Sequence, residues 1–265
     1  MISVVIVNYN PVYVLRNCLE NLRIVLSESD AEVIIVNNIT TFSLGHLVTE
    51  YQQFLKLLLV ENQTNLGYAR AVNQGIKNAR GEYILIINPD IQIISGAIGK
   101  MISFFEQEKN IGILAPQMLN YDHTIQNSCL RFPKIWTPFI RRTCLKNLSF
   151  GKKELIRYLM LDFDHQMTRE VDWVLGAAMM TKKSLIEKIG FMDERFFLYF
   201  EDVDWCRRFQ NHGFRVIYFP GAKFFHQYPR WSAKTKGVAL LFNKFFWFHL
   251  ISAIKYFKKW YKINA

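Results

Sequence analysis

Two groups of carboxylates in this sequence stand where carboxylates are costly. Glu201, Asp202 and Asp204 follow the run Phe196-Phe197-Leu198-Tyr199-Phe200 and are closed in by Trp205 and Cys206. An ionised carboxylate out of water is strongly disfavoured unless it is paired, protonated or coordinated. Three in such company imply chemistry, or a helix start whose positive end favours acids, or both. The second group is Asn88-Pro89-Asp90, at the end of the apolar run Tyr83-Ile84-Leu85-Ile86-Ile87. An acid there is placed to hold a divalent cation against a diphosphate, since Mg²⁺ and Mn²⁺ take a few hard oxygen ligands from protein and the rest from phosphate and water.

The elements that must position these acids follow from periodicity. Val4-Val5-Ile6-Val7, Val33-Ile34-Ile35-Val36, Leu57-Leu58-Leu59-Val60 and Tyr83 to Ile87 are short, wholly apolar runs separated by helical spacings such as Val14, Leu15, Cys18, Leu19 and Leu22. Such a pattern predicts an α/β fold with a mostly parallel sheet buried on both faces. Ligands of such sheets gather beyond the carboxyl ends of the strands. Here those ends read Asn8-Tyr9-Asn10, Asn37-Asn38, Glu61-Asn62 and Asn88-Pro89-Asp90. Asn can read a base edge or a ribose, and it also suits a plain turn. No Gly-x-Gly-x-x-Gly follows the first strand and no Walker-type Gly-Lys-Ser/Thr occurs, which argues against dinucleotide dehydrogenases and P-loop enzymes.

Between the third and fourth strands, Asn65-Leu66-Gly67-Tyr68 is a turn feeding a helix with Arg70 and Asn73 one turn apart. A helix N-terminus with an Arg nearby suits a diphosphate; a capped surface helix would look the same. An amphipathic helix is expected near residues 95–107 and a short strand near 111–114. Val171 to Met180 reads as one apolar strand with Gly176-Ala177 at its centre, small enough for another molecule to approach or for tight packing. Phe214 to Pro220 reads as a further strand, with His226 soon after.

The 265 residues carry a net charge of +11, and the cations choose among nucleic acid, anionic membrane and phosphate-bearing substrates by where they lie. Eight Lys and Arg fall between Arg131 and Arg157, interleaved with Trp136, Phe139 and Phe150. This segment is either a solvated insertion or a surface meeting lipid headgroups or an acceptor phosphate. From Val238 to Tyr261 the chain is rich in Leu, Phe, Trp, Tyr and Ile, with Lys244, Lys255 and Lys262 on one helical stripe and no acid after Asp204. The pattern is that of an interfacial helix on an anionic membrane, or of a terminal helix packed on the core. Cys18, Cys129, Cys144 and Cys206 form no Cys-x-x-Cys pair, so neither zinc nor a disulfide framework is indicated, and a reducing cytosol fits. The N-terminus has no signal-peptide pattern, and no uninterrupted apolar run reaches the ~18 residues of a spanning helix.

Taken together, Ser3 to Asn10, Val36-Asn37-Asn38, Asn65 to Ala69, Asn88-Pro89-Asp90, Trp173 to Ala177 and Phe191 to Asp204 resemble the inverting family 2 glycosyltransferases of GT-A type, most closely the rhamnosyltransferase-like branch. The resemblance covers roughly residues 3–226. It implies a Rossmann-like nucleotide-binding half and an acceptor-binding half in a catalytic domain of residues 1–231, followed by a basic, aromatic, amphipathic tail at 232–265. It implies that Asp90, with His226, binds Mn²⁺ or Mg²⁺, and that Asp202 is the general base with Glu201 beside it. It further implies a donor site of Val7, Tyr9, Asn10, Asn37, Asn38, Asn65, Gly67, Arg70, Asn73 and Asn88, and acceptor contacts from Trp173, Gly176, Ala177 and Glu201. Asn37 stands where the family usually has an Asp that contacts the pyrimidine, which leaves the base preference open.

The expected reaction is transfer of a sugar, first rhamnose from dTDP-rhamnose, to a polyprenyl-diphosphate-linked or oligosaccharide acceptor. The enzyme would work as a peripheral protein on the cytoplasmic face of the membrane. A UDP-hexose or UDP-N-acetylhexosamine transferase is the alternative within the class; a non-catalytic basic protein binding anionic lipid or nucleic acid is the alternative outside it. The acids at 90, 201, 202 and 204 argue against a polyanion binder. Gln227-Tyr228-Pro229-Arg230-Trp231 also fits the Gln-x-x-Arg-Trp of processive polysaccharide synthases, whose multiple spanning helices are absent here. Oligomeric state is not readable.

Overall fold

A computed structural model describes residues 1–9, 11–38, 43–227 and 243–263. In chain order its elements are β1 (Ile2–Asn8), α1 (Val12–Val25), β2 (Ala31–Asn37), α2 (Gly45–Tyr51), β3 (Leu57–Glu61), α3 (Tyr68–Asn78), β4 (Tyr83–Ile87), β5 (Ile91–Ile93), α4 (Ala97–Gln107), β6 (Ile111–Leu119) and β7 (Cys129–Leu130). Then come α5 (Thr137–Arg142), a 3-10 turn (Cys144–Asn147), α6 (Ser149–Tyr158), β8 (Arg169–Glu170), β9 (Trp173–Val174), β10 (Ala178–Lys182), α7 (Lys183–Ile189), α8 (Glu201–Asn211), β11 (Arg215–His226) and α9 (Lys244–Ile263).

The apolar runs form one central sheet in the order β3-β2-β1-β4-β10-β6-β11-β5, with β8 added to β11. The half formed by β3, β2, β1 and β4 is parallel, and every residue of β1 and β4 is buried, as continuous Val and Ile runs require when both faces are covered. One face packs on α1, α2 and α4 through Leu15, Leu19, Leu47 and Met101; the other packs on α3, α7, α8 and α9 through Val72, Ile186, Phe209 and Tyr256.

Topology then delivers the polar residues to one edge. In the parallel half, the paired Asn8 and Asn37 end β1 and β2 side by side. Strand β10 runs antiparallel to β4 with Ala178 opposite Ile87, so its amino end, Gly176-Ala177, arrives beside Asn88. Strand β11 pairs antiparallel with β5 with His226 opposite Ile91, which brings the imidazole to Asp90.

Three elements differ from the sequence reading. The expected single strand over 171–180 is broken into β9 and β10, because Gly176 turns its N–H to Asp202 and leaves the ladder. The strand expected to close at Pro220 continues to His226 across a register shift between Phe219 and Lys223, which absorbs the missing proline donor. The basic segment forms α5 and α6, held by Glu154: its carboxylate pairs with Arg157 at 2.7 Å and accepts from the Thr137 hydroxyl.

Helix α9 is two-faced. Ala253, Tyr256, Phe257 and Trp260 are buried against the main apolar cluster, whereas Trp247, Ile251, Ile254 and Tyr261 are exposed. Burying side chains of this size is worth about 1.5–3 kcal/mol each. Asp204 of α8, fully buried, fastens the helix: it accepts from Trp260 Nε1 at 2.9 Å and from Lys259 Nζ at 2.7 Å. Among the described residues, no helix is long and apolar enough to cross a membrane.

Candidate active site

Asp202 lies in the first turn of α8, after Tyr199 and Phe200, two non-glycine residues held at φ 69° and 68°. A left-handed pair of aromatics is strained, and it aims the helix start at the sheet edge. Asp202 Oδ1 accepts from the Val203 N–H at 2.8 Å and Oδ2 from the Gly176 N–H at 3.0 Å. Burial pushes its carboxyl up to about 6, against the pull of these two backbone donors. Glu201, beside it, is 5% exposed, and its Oε2 accepts no hydrogen bond among the described residues. Burial, and then the negative charge of Asp202, hold Glu201 well above the usual carboxylate range. Both carboxyls are thus biased toward the protonated form, and Asp202 keeps two backbone donors that favour its ionised form.

Tyr68 joins this pair to the strand ends. Its hydroxyl lies 2.7 Å from the Gly176 carbonyl and 3.3 Å from Asn88 Oδ1, so one proton ties β10 to the Asn-Pro-Asp turn. Burial, then Glu201, Asp202 and Asp90 in that order, raise its pKa well above the usual phenol. Sequence reasoning passed over Tyr68; the only signal was its place after Gly67 in a turn already singled out. Gly67 (φ +86°) is needed because a Cβ there would come within 2.5 Å of the Phe197 carbonyl oxygen. That oxygen accepts the Tyr68 N–H at 2.7 Å, which clamps the segment leading into Glu201 onto α3.

Asp90 and His226 form the second centre. Gln126 Nε2 donates to Asn120 Oδ1 (2.7 Å) and to the His226 carbonyl (2.8 Å), and both are acceptors, so its amide orientation is determined. Gln126 Oε1 then faces His226 Nδ1 at 3.0 Å, which puts the imidazole proton on Nδ1. Burial lowers His226 to about 4, so the ring is neutral and its Nε2 lone pair lies 3.7 Å from Asp90 Oδ1. Asp90 Oδ1 is buried without a hydrogen-bond partner among the described residues. Two electron-rich atoms facing across such a gap fit a cation between them. No group of three His, Cys, Asp or Glu side chains gathers among the described residues, so a cation here draws on ligands from diphosphate and water, as Mn²⁺ and Mg²⁺ do. Gln126 is the second residue sequence reasoning missed, and a lone Gln in a loop carried no signal for it.

The donor-side residues divide. Asn38 has both lone-pair directions and both amide protons engaged: it accepts from the Leu66 N–H (3.0 Å) and Asn62 Nδ2 (3.2 Å), and donates to Asn65 Oδ1 (2.8 Å) and the Gly67 carbonyl (3.3 Å). It holds the 62–67 loop, so the expectation that it reads the donor is corrected. Asn65 completes that loop by accepting from the Gly67 N–H at 2.9 Å. Asn73 is likewise taken up, by the Met192 backbone and Glu194, and Arg70 pairs with Glu194 at 3.0 Å. Asn37 is bonded to Asn8 at 3.2 Å at the sheet edge, Val7 is buried in the core, and Tyr9 is exposed beyond it. Asn10, and Tyr228 to Trp231 of the Gln-x-x-Arg-Trp match, lie outside the described residues.

On the acceptor side, Gly176 and Ala177 stand at the centre, where the Ala177 carbonyl accepts the Asn88 N–H at 2.9 Å. The space at Gly176 is filled from within: a Cβ would meet Asp202 Oδ2 at 3.5 Å and the Tyr68 ring at 3.6 Å. Trp173 is corrected. It is 6% exposed, its Nε1 donates to the Arg131 carbonyl at 2.9 Å, and it packs on Tyr158, so it braces the basic segment and offers no open face to a ligand.

The family model described as Glycosyl transferase family 2 matches residues 3–160. The chain is 25% identical over 245 residues to an N-acetylglucosaminyl-diphospho-decaprenol L-rhamnosyltransferase of Mycobacterium tuberculosis, covering 85% of this chain and 76% of that one. It is 27% identical over 240 residues to the dTDP-rhamnosyl transferase RfbF of Shigella flexneri, covering 89% and 72%. Among solved structures, GalNAc-T7 with UDP, GalNAc and Mn²⁺ superposes with a TM-score of 0.64 at 14% identity, covering 86% of this chain and 43% of that chain. A Pyrobaculum calidifontis mannosyltransferase with GDP-Man and Mn²⁺ gives 0.57 at 17%, covering 86% and 57%. The chain spans less than two thirds of either solved chain, and at these identities the likeness is one of fold.

Proposed function

The chain belongs to glycosyl transferase family 2 and is a glycosyltransferase; from that premise we propose an inverting, metal-assisted transfer of rhamnose from dTDP-rhamnose to a polyprenyl-diphosphate-linked or growing surface glycan. The observation that supports the proposal is the Tyr68 hydroxyl, which lies on both the Gly176 carbonyl and Asn88, so that the residue bonded to Asp202 and the Asn88-Pro89-Asp90 turn share one hydrogen-bonded framework.

Asp202 takes the proton of the acceptor hydroxyl at whichever carboxylate lone pair its two backbone donors leave open. Partial desolvation makes it a stronger base than an exposed Asp, and its pKa of about 6 keeps it ionised at neutral pH. The hydroxyl oxygen attacks the anomeric carbon from the side opposite the diphosphate, the C–O bond to the diphosphate breaks, and configuration inverts. Glu201 faces a sugar hydroxyl beside the base. Asp90 and His226 would hold a divalent cation, which when bound would supply positive charge to the departing diphosphate. Asn88 contacts the ribose or a phosphate. Arg70 turns from Glu194 to assist the phosphates.

The relatives named for rhamnosyl transfer support the choice of sugar. The UDP-bearing structural neighbours and Asn37 keep a UDP-hexose or UDP-N-acetylhexosamine donor as the competing reading. Thermal stabilisation by a panel of nucleotide sugars with Mn²⁺, read alongside nucleotide release, tests it. The largest shift is expected with dTDP-rhamnose, and a larger one with a UDP sugar replaces that donor. The site of action is proposed to be the inner membrane face, with residues 232–265 as the associating tail.

A further inference from the structure

The basic segment and the C-terminal helix enclose a feature that sugar transfer does not use. Between α5 and α9 runs a groove of about 740 Å³, within the size range of ligand sites and walled by Ile135, Phe139, Leu250, Ala253, Ile254 and Phe257. Its mouth is as apolar as its floor: Ile135, Phe139 and Ile254 are 45%, 58% and 58% exposed. The neighbouring surface adds Trp136, Phe150, Ile156, Trp247 and Ile251, all exposed. A patch of this extent on a water-facing surface marks an interaction site.

Two cations line the groove, the half-buried Arg142 and the exposed Lys258. Arg142 is half-buried, its guanidinium 5.3 Å from the Phe246 ring, and no described carboxylate is its ion-pair partner. Burial and Arg141 lower its pKa, so it is a charge held at an electrostatic cost. His249, also in the wall, is lowered to about 3 by burial, Arg142 and Arg141, and is neutral. A half-buried guanidinium with no ion-pair partner among the described residues, over an apolar trough, is complementary to a molecule with an anionic head and a hydrocarbon tail.

The groove also leads to the catalytic carboxylates. The His249 ring lies 5.3 Å from Tyr199 and 5.2 Å from Phe200, and Ser252 Oγ donates to the Leu198 carbonyl at 2.9 Å. Phe200 is the residue before Glu201 and Asp202. The groove's wall therefore packs on the segment that enters Glu201 and Asp202.

We propose that the α5–α9 groove is the seat of the hydrocarbon chain of an isoprenoid diphosphate acceptor, with Arg142 binding its phosphate. The inference rests on the acceptor half of the transferase reading and adds to it a site that no catalytic residue lines.

Farnesyl diphosphate titrated into the full chain, followed by calorimetry, is the probe. Wild type is expected to bind it; Ile254→Asp, at an exposed groove position, and Arg142→Gln are each expected to weaken binding by tenfold or more. Both variants should keep wild-type thermal stabilisation by dTDP-rhamnose with Mn²⁺, which separates failure of the groove from failure of the donor site. Inorganic diphosphate binding as tightly as farnesyl diphosphate reduces the site to a phosphate contact and overturns the proposal. So does a preference for phosphatidylglycerol vesicles with no competition from farnesyl diphosphate. Unchanged affinity in both variants, or a concentration-dependent dimer that buries the groove, overturns it as well.

Discussion

At the residue scale the chemistry turns on protons. Asp202 must be ionised to accept one, and its folded-state pKa is raised from 3.8 to about 6, so activity is lost on acidification earlier than for an exposed Asp. The value of kcat/KM is expected to be flat above pH ~6.5 and to fall about tenfold per unit below 6. An acid limb confined below pH ~4.5 would remove Asp202 as the base. Asp202→Asn should lower kcat by about 10²–10⁴-fold with donor affinity nearly unchanged, and Glu201→Gln should cost much less, because the amide keeps the shape and hydrogen-bonding capacity of a side chain that transfers no proton. The imidazole proton makes a second test. Gln126→Leu removes the acceptor that keeps His226 Nδ1 protonated, and Mn²⁺ affinity is expected to drop 10–100-fold while binding of metal-free nucleotide is retained. Equal Mn²⁺ affinity would leave Gln126 a packing residue.

At the scale of elements, the strands were readable and their use was not. Buried parallel strands write themselves as unbroken Val and Ile runs, so β1 to β4 and the polar ends beyond them follow from spacing alone. The reversal of β10 and the extension of β11 past Pro220 depend on pairing with strands distant in the chain, and the break at Gly176 on a bond to Asp202, 26 residues away, none of which local pattern encodes. Trp173 shows the same limit: the resemblance implied an acceptor contact there, and the Arg131 carbonyl and Tyr158 found against it are not visible in the sequence. Asn38 shows it for polar groups, since four internal partners are invisible in a string of letters. The joint between α3 and the catalytic segment offers a direct test. In Gly67→Ala, a left-handed φ and a Cβ 2.5 Å from the Phe197 oxygen should together destabilise the fold by more than about 2 kcal/mol. Because the same oxygen receives the Tyr68 N–H, kcat should fall with it. A variant with wild-type melting temperature and turnover would show that the clamp is dispensable.

For the whole molecule, the question is what the basic, aromatic C-terminal tail does. Its composition suggested a membrane-lying tail, and its structure gives each face of α9 a separate task. One face completes the core: Trp260 and Lys259 neutralise and satisfy Asp204, so removing the helix would leave a buried carboxylate short of partners and strip Tyr256 of cover. Truncation therefore confounds folding with binding, and the membrane role is better tested on the outer face. Phe150 and Ile251 are 54% and 46% exposed and lie on α6 and α9, so aspartate at both should leave the melting temperature within a degree or two. Inserting two such side chains into the acyl boundary is worth about 3 kcal/mol or more, and the basic neighbours add attraction to anionic headgroups. Sedimentation with phosphatidylglycerol vesicles is accordingly expected to fall at least tenfold for the double variant and to weaken for wild type as salt rises from 0.1 to 0.5 M. The salt response follows because surface charge is screened over about 10 Å at the lower concentration and a few at the higher. Wild-type sedimentation by the folded double variant would remove Phe150 and Ile251 as the membrane-contacting side chains.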